Sequence, residues 1–453
     1  MATPTHYNLI AIGTGPGSGG IPAKAIKAGM SVAVVEERAV GGTCALRGCT
    51  PKKLLIAAPE AYDFARRMNQ NGLDAPNVKL DWPMMRRYKD AFIDKIPPIN
   101  THQYTSKGIE LLRGHATFVG ENTLEIEGKQ YSADHVVLAT GATPAAIEFP
   151  GSEHLLLSDD FFNVPELKGH VVFIGAGYIS MEFAHVAARV GCKVTVIHRS
   201  DKPLRGFDRD LVEKLLVISR KQGINVVKNT EVKTLTKTPL GFRIVTTNPD
   251  VEPFDCDVVF HGAGRDAKIQ DLNLEAANVA HSKKGIAVKP TLQSTTNPHV
   301  WAVGDCADNN APALTSVAAL DSLIVADQLF GEKKLTSNYS GAPTAAFTIP
   351  QLCGVGLTEE EAKAQGIDYG VNFSDATKNY LSYRVNGDAL MHKVLFDKKT
   401  DLIIGAHALD YEASEWINVF AMAIRFGITA TQIKHSLFAY PSHGAAIRGM
   451  MNY

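Results

Sequence analysis

What this sequence lacks narrows its class before any motif is considered. No apolar run among its 453 residues is long enough to span a bilayer. Met1 to Tyr7 is polar and runs straight into a strand, without the charged-then-apolar layout of a secretory leader. The expectation is a cytoplasmic protein with no membrane partner. Excess charge is missing too: 46 Lys and Arg stand against 47 Asp and Glu, a net of −1, so the bulk electrostatics call for no nucleic acid. Low-complexity linkers are absent, and close domain packing is expected. Cysteine is scarce, since six in a chain this long make no disulfide scaffold. Cys192, Cys256, Cys306 and Cys353 are scattered and are expected to be small packing residues.

What is present is a globular composition, 45% hydrophobic and 21% charged. The length suits roughly three domains. Tyr7–Ile12 forms a strand, a Gly-rich turn follows, then a helix from about Ile21 to Ala28 and a strand from Ser31 to Val35. The plan recurs at Val171–Ile174, with a turn through Gly175-Ala-Gly177, a helix to Val190 and a strand from Lys193 to Ile197. Two copies so far apart mean two dinucleotide sites rather than a short-period repeat. Between them lie a helical stretch, Pro59 to about Lys107, and a β region around Glu110–Ile126. Strands at Val258–Phe260 and Val300–Val303 follow. From about Ser337, strands at Ala345–Thr348, Val394–Phe396 and Ile403–Ala408 mix with a helix, Ala413–Phe426, as in an α+β module.

The first turn, Gly13-Thr-Gly15-Pro-Gly17-Ser18, has the small residues that let a backbone approach a pyrophosphate at a helix N-terminus. Glu36 closes the next strand, where an acid would meet an adenosine ribose. Far downstream, Gly304-Asp305 closes a strand with an acid suited to a ribityl or pyrophosphate group. This site is assigned to FAD. In the second turn, Gly175-Ala-Gly177-Tyr-Ile-Ser180, the following strand ends Ile197-His198-Arg199 with no acid. Arg199, Lys202 and Arg205 cluster beyond it. A 2′-phosphate needs cations there and an acid would repel it, which points to NADPH.

Cys44 and Cys49 differ from the other cysteines. They lie in Gly41-Gly42-Thr43-Cys44-Ala-Leu-Arg47-Gly-Cys49-Thr-Pro-Lys52-Lys53, directly after the first unit. If Cys49 starts a helical turn, the two sulfurs could form a disulfide. A helix N-terminus with Arg47 and Lys52 nearby would lower a thiolate pKa. The rival is a metal site, which would want further Cys or His ligands, and this segment supplies none. No metal is assigned.

These motifs together resemble the pyridine nucleotide–disulfide oxidoreductase family, nearest its glutathione and mercuric reductase branches. Added to them are Ala139-Thr140-Gly141, Gly175-Ala-Gly177-Tyr178-Ile179-Ser-Met-Glu182, the Arg199…Arg205-Gly-Phe-Asp208 run, Leu314-Thr315 and Val355-Gly356-Leu-Thr-Glu-Glu360. The resemblance implies an α/β fold of two Rossmann-like domains and a C-terminal α+β dimerisation domain. The expected boundaries are 1–149 with 266–336 for FAD, 150–265 for NADPH and 337–453 for the interface. It implies that Cys49 faces the flavin and Cys44 exchanges with a small-molecule or protein disulfide. Lys52 and Glu182 would pair beside the flavin, and Tyr178 would cover the nicotinamide pocket. Asp305 and Thr315 would contact FAD, and Gly42, Thr43, Lys52, Ala139, Thr140, Gly141, Ile179 and Gly264 are further expected cofactor-binding residues. A homodimer would complete each active site from the partner's C-terminal module.

The C-terminal segment departs from the family. Its members carry His-Pro-Thr followed by a Glu, a pair that moves protons to and from the leaving thiol. Here the segment is Tyr440-Pro-Ser-His443-Gly-Ala445. Tyr440 takes the His place and Ala445 the Glu place, and a phenol titrates near pH 10. Either Tyr440 donates a proton or orients substrate, or His443 supplies the base from a shifted position, or the reaction does without. Mercuric reductase has Tyr here but also a terminal Cys pair, which this chain lacks. A ketone oxidoreductase/carboxylase that cleaves a C–S bond also lacks the dyad. The positions that hold glutathione align with Ala23, Leu323 and Asn100, which cannot bind a carboxylate as Arg would. The expectation is an NADPH:FAD disulfide oxidoreductase whose substrate is not glutathione, the alternatives being a metal-ion or other electrophile reductase, that carboxylase, or a flavin-bound redox sensor.

Overall fold

Both strand–turn–helix–strand units form in the computed structural model, which describes residues 4–451. The strand Thr5–Ile12 is buried over its last four positions, and Val32–Glu36 over its whole length. Strands buried on both faces suit the centre of a parallel sheet, where helices cover both sides.

Two units emerge from the chain. The first gathers the chain up to Leu54 with Arg87–Ala145 and Arg265–Tyr339. Its sheet runs Glu110–Arg113, Val32–Glu36, Thr5–Ile12, Lys129–Leu138, all parallel, with Val300–Ala302 also parallel to Lys129–Leu138. Thr123–Ile126 and Ala116–Gly120 extend it as antiparallel strands. Parallel pairing places the turn after Ile12, the segment from Ala139 and the Gly304-Asp305 turn at the same, carboxyl, ends of neighbouring strands. Ligands of open α/β sheets bind at that edge.

The second unit comprises Leu55–Arg86, Ala146–Gly264 and the chain from Ser340 onward. Its nucleotide fold is a parallel sheet ordered Ile224–Val227, Lys193–Ile197, His170–Ile174, Val258–His261. The C-terminal part is an antiparallel sheet ordered Thr344–Ala346, Gln351–Gly356, Ile403–Asp410, Leu390–Asp397, Tyr369–Asp375. The helix Ala413–Phe426 buries Trp416, Ile417, Phe420 and Ala423 with Cys353, Val355, Ala406 and Ala408 of the sheet. Among the described residues no helix is long and apolar enough to cross a membrane.

The helical stretch expected from Pro59 starts earlier and is broken. One helix runs Cys49–Met68 with Pro59 inside it. Leu55 and Ile56, both buried in the core, anchor the turn before the proline. A gap follows, and Asp81 opens the helix Trp82–Ile93 by accepting from Met84 N–H at 2.7 Å. Cys192, Cys256, Cys306 and Cys353 are all buried, as expected of packing residues. Burial pushes the Cys192 thiol up to about 11 and the Cys256 thiol up to about 12.

Candidate active site

The first Gly turn is held by side chains from the next strand. Glu36 Oε2 accepts from Thr14 N–H at 3.2 Å and from Thr14 Oγ1 at 2.5 Å, while Arg38 N–H donates to Oε1 at 2.9 Å. Ser18, the third fingerprint position, donates to Gly13 O at 2.7 Å. Gly13 has φ +103, and a Cβ there would lie 2.4 Å from Ala139 O. A Cβ on Gly42, at φ +70, would sit 2.4 Å from the Gly15 Cα. The cysteine loop therefore lies directly against the phosphate-type turn, in a cradle only glycine permits. That cradle, together with Asp305 at the neighbouring strand end, fits FAD. Asp305 is desolvated, which raises its carboxyl above the usual range, and Arg265 partly offsets the rise.

The two cysteines sit on consecutive helices. Cys44 lies within Gly42–Arg47, which Gly42 and Thr43 open, and Cys49 is the first residue of Cys49–Met68. Both are unbridged. Cys49 Sγ is 3.4 Å from Thr315 Oγ1, at the first residue of the helix Thr315–Phe330. The Cys49 thiol is pushed down to about 5, first by the hydrogen bond from Cys44, then by Thr315 and the Lys52 charge, against partial desolvation. Cys44 is pushed up because it is the donor in that pair and is itself desolvated. The result is an unequal pair, a Cys49 thiolate and a protonated Cys44, at the edge where the first turn opens.

The second turn repeats the frame. Gly175 N–H donates to Ile197 O at 2.8 Å, as Gly13 N–H does to Val35 O at 2.8 Å. Tyr178 opens the helix Tyr178–Val190 and is 40% exposed, followed by the half-buried Ile179. Glu182 on this helix is 1% exposed, and its Oε1 accepts from Phe347 N–H at 2.8 Å. Lys52 belongs to the first unit and Glu182 to the second, as does Gly264, which ends the second unit's middle segment at φ +126. Arg199 and Arg205 are exposed just past the strand, whereas Lys202 is paired with Glu360 at 2.9 Å. Two exposed cations, beyond a strand end that carries no acid, fit a 2′-phosphorylated coenzyme.

The C-terminal segment separates its two candidates. Tyr440 is 87% exposed. His443 turns inward: its Nδ1 is 2.7 Å from Asp410 Oδ2, and its Nε2 is buried with no hydrogen-bond partner among the described residues. Asp410, 1% exposed, also accepts from Trp416 Nε1 at 2.8 Å and Tyr411 N–H at 2.7 Å. Burial would lower the imidazole pKa, but Asp410 more than reverses this and the net shift is upward. With one nitrogen on a carboxylate and the other shut from solvent, His443 anchors the segment while Tyr440 projects from it. Sequence reasoning missed Asp410, since nothing in one dimension links it to His443. Only the strand end at Asp410, packed under the helix Ala413–Phe426, brings them together.

Residues 7–321 match the family described as pyridine nucleotide-disulphide oxidoreductase, and residues 342–451 match its dimerisation domain. The chain is 31% identical to glutathione reductase of Nostoc sp. over 449 residues, covering 96% of this chain and 97% of that one. It is 28% identical to mercuric reductase of Staphylococcus aureus, covering 96% of this chain and 80% of that one. Among solved structures, the HOCl-induced flavoprotein disulfide reductase RclA from Escherichia coli superposes with a TM-score of 0.88 at 25% identity, over 98% of this chain and 99% of that one. A Cu(II) complex of RclA superposes at 0.89 with the same identity, covering 99% of each chain.

Proposed function

From the premise that the chain belongs to the pyridine nucleotide-disulphide oxidoreductase family, an FAD- and NADPH-using group of enzymes acting on sulfur, we propose that electrons from NADPH pass through the Cys44–Cys49 pair to a disulfide other than glutathione. FAD, when bound, supplies the two-electron relay between the nicotinamide and the disulfide. The chain's own residues do the rest. Reduction of the Cys44–Cys49 disulfide by two electrons and one proton leaves Cys49 as the thiolate, stabilised by Thr315 O–H, Lys52 and the Cys44 thiol. Cys44, once deprotonated, attacks one sulfur of the substrate disulfide and expels the other half as a thiolate. Cys49 then attacks Cys44 Sγ, reforming the internal disulfide and releasing the second half. With two protons taken up by the products, NADPH + H⁺ + RSSR′ gives NADP⁺ + RSH + R′SH.

The observation that carries this reading is the unequal thiol pair lying against the Gly15 turn. The dimerisation-domain match supports a homodimer, in which Tyr440, projecting from each protomer, meets its partner's Cys44 side. The same three-part division applies: 1–149 with 266–336 for FAD, 150–265 for NADPH, and 337–453 for the interface.

One observation favours a second reading. Tyr440 stands where the family's imidazole would be, and the Nε2 of His443 is buried away from solvent, so the segment exposes no imidazole to protonate a departing thiol. An acceptor that leaves no thiolate, such as a metal ion held by both sulfurs, needs none. The mercuric reductase relative and the Cu(II) complex of RclA support this alternative. Anaerobic NADPH titration followed by disulfides, mercuric ion and cupric ion separates the two. Rapid reoxidation by a disulfide that Cys44→Ser abolishes supports the first; disulfides inert while a metal ion reoxidises the protein support the second.

A further inference from the structure

The helix Thr315–Phe330 holds three separate segments of the first nucleotide fold. Its first residue, Thr315, lies against Cys49 Sγ, and Ser322 Oγ accepts from Gly20 N–H at 3.2 Å. Between them on the helix, Asp321 Oδ2 accepts from Gly304 N–H at 2.9 Å. Gly20 precedes the helix Ile21–Lys27 that follows the first Gly turn, and Gly304 opens the turn that carries Asp305.

Asp321 is 0% exposed, and its hydrogen-bond partners are neutral donors. Besides the Gly304 amide, Asn309 Nδ2 donates to Oδ2 at 3.0 Å and Tyr339 O–H donates to Oδ1 at 2.6 Å. Asn309 Nδ2 also donates to the Tyr339 oxygen at 3.1 Å, which closes a ring of three side chains. Burial raises the Asp321 carboxyl above its usual range, the Asp305 charge adds to that, and the three donors work against it. A buried acid is costly unless its oxygens are bonded, and helix packing alone gives no reason to place one here. What it holds is the Gly304 amide. Val303 N–H still bonds Leu138 O at 3.0 Å, so Gly304 is the first residue to leave the strand ladder. It does so at φ +66, so close to the helix that a Cβ on it would lie 3.0 Å from the Ala318 Cβ.

We propose that Asp321 is a positioning residue for the flavin: braced by Asn309 and Tyr339, its carboxylate fixes the Gly304 amide and with it the direction in which Asp305 leaves the strand. The inference rests on Asp305 facing FAD, and it adds the residue that aims it. Asp321 acts only through the turn, so its effect on FAD requires Asp305.

The test measures the FAD dissociation constant from the flavin fluorescence released on serial dilution of the holoprotein, with the melting temperature alongside. The variants are Asp321→Ala, Asp321→Asn, Tyr339→Phe and Asp305→Asn, with Asp321→Ala and Tyr339→Phe each also combined with Asp305→Asn. Asp321→Ala is expected to weaken FAD by about tenfold or more, the loss of a hydrogen bond to a charged group. Asp321→Asn can keep its oxygen on the Gly304 amide and turn its nitrogen toward the Tyr339 oxygen, and should stay within about threefold of wild type. Tyr339→Phe leaves the carboxylate in place and should weaken FAD by about threefold. In the Asp305→Asn background neither Asp321→Ala nor Tyr339→Phe should add more than about twofold. Unchanged affinity in Asp321→Ala overturns the proposal, as does an Asp321→Asn as weak as Asp321→Ala. The same full loss in the Asp305→Asn background also overturns it, since that is the result a merely structural role gives. Should Asp321→Ala not fold, Tyr339→Phe decides, by whether it weakens FAD and whether that loss vanishes in the Asp305→Asn background. Affinity unchanged by Asp305→Asn alone sinks the reading of Asp305 on which the inference rests, and the inference with it.

Discussion

The acidity of Cys49 offers the sharpest check, because named neighbours cause it. Its thiol is pushed from an ordinary value of 9.0 down to about 5, with the Cys44 hydrogen bond the largest contribution and Thr315 and Lys52 adding to it. At pH 7 a pKa of about 5 leaves nearly all of Cys49 as thiolate, whereas an ordinary thiol would be only about 1% ionised. Thr315→Val removes an O–H donor 3.4 Å from Sγ with little change in volume. A hydrogen bond to a charged group is worth about 1.5 kcal/mol, which is about one pKa unit. Cys44→Ala removes the larger contributor and should raise the value by more, whereas Cys44→Ser retains an O–H donor and should raise it less. The assay is the rate of iodoacetamide alkylation of Cys49 in anaerobically reduced protein, followed by mass spectrometry from pH 4 to 9. The expected order of midpoints is wild type, then Cys44→Ser, then Cys44→Ala, with Thr315→Val about one unit above wild type. A Thr315→Val midpoint equal to wild type, or a Cys44→Ala midpoint no higher than Cys44→Ser, would refute the account of the pair.

Other consequences are equally direct. Asp410→Asn removes the buried charge beneath His443 and should cost about 3 kcal/mol, seen as a lower melting temperature. Because the folded His443 pKa is raised, the pair stabilises fully below the unfolded value near 6.5 and loses its contribution as pH rises through the folded one. The deficit of Asp410→Asn should therefore be largest near pH 6 and shrink toward pH 9; a deficit that grows with pH contradicts the ion pair. Gly42→Ala would put a Cβ 2.4 Å from the Gly15 Cα, and purified protein should carry little flavin; stoichiometric flavin absorbance would count against the cradle. Tyr440→Phe should lower disulfide turnover several-fold without altering NADPH reduction of the flavin, and equal turnover at every pH would remove Tyr440 from the chemistry. Arg199→Ala with Arg205→Ala should weaken NADP⁺ binding at least tenfold, roughly 1.4 kcal/mol or more, and leave NAD⁺ binding little changed.

Much of this protein was legible in one dimension, for local reasons. A strand, a Gly turn, a helix and a strand follow each other within about thirty residues, so periodicity and glycine spacing reveal both nucleotide folds without long-range information. The Cys44–Cys49 segment and the cations at Arg199 and Arg205 are likewise contiguous, and they named the cofactors and the class of chemistry. The helical stretch was harder, because a buried Pro59 tolerated inside Cys49–Met68 looks like a helix start when only its neighbours are known.

What tertiary structure alone decided are the contacts between residues far apart in the chain. The acidity of Cys49 depends on Thr315, 266 residues away, and the inward turn of His443 on Asp410, 33 residues away. Composition and spacing set which side chains the chain carries. Only the fold sets which of them share a proton, because hydrogen bonds act over about three ångströms of space whatever the separation along the chain.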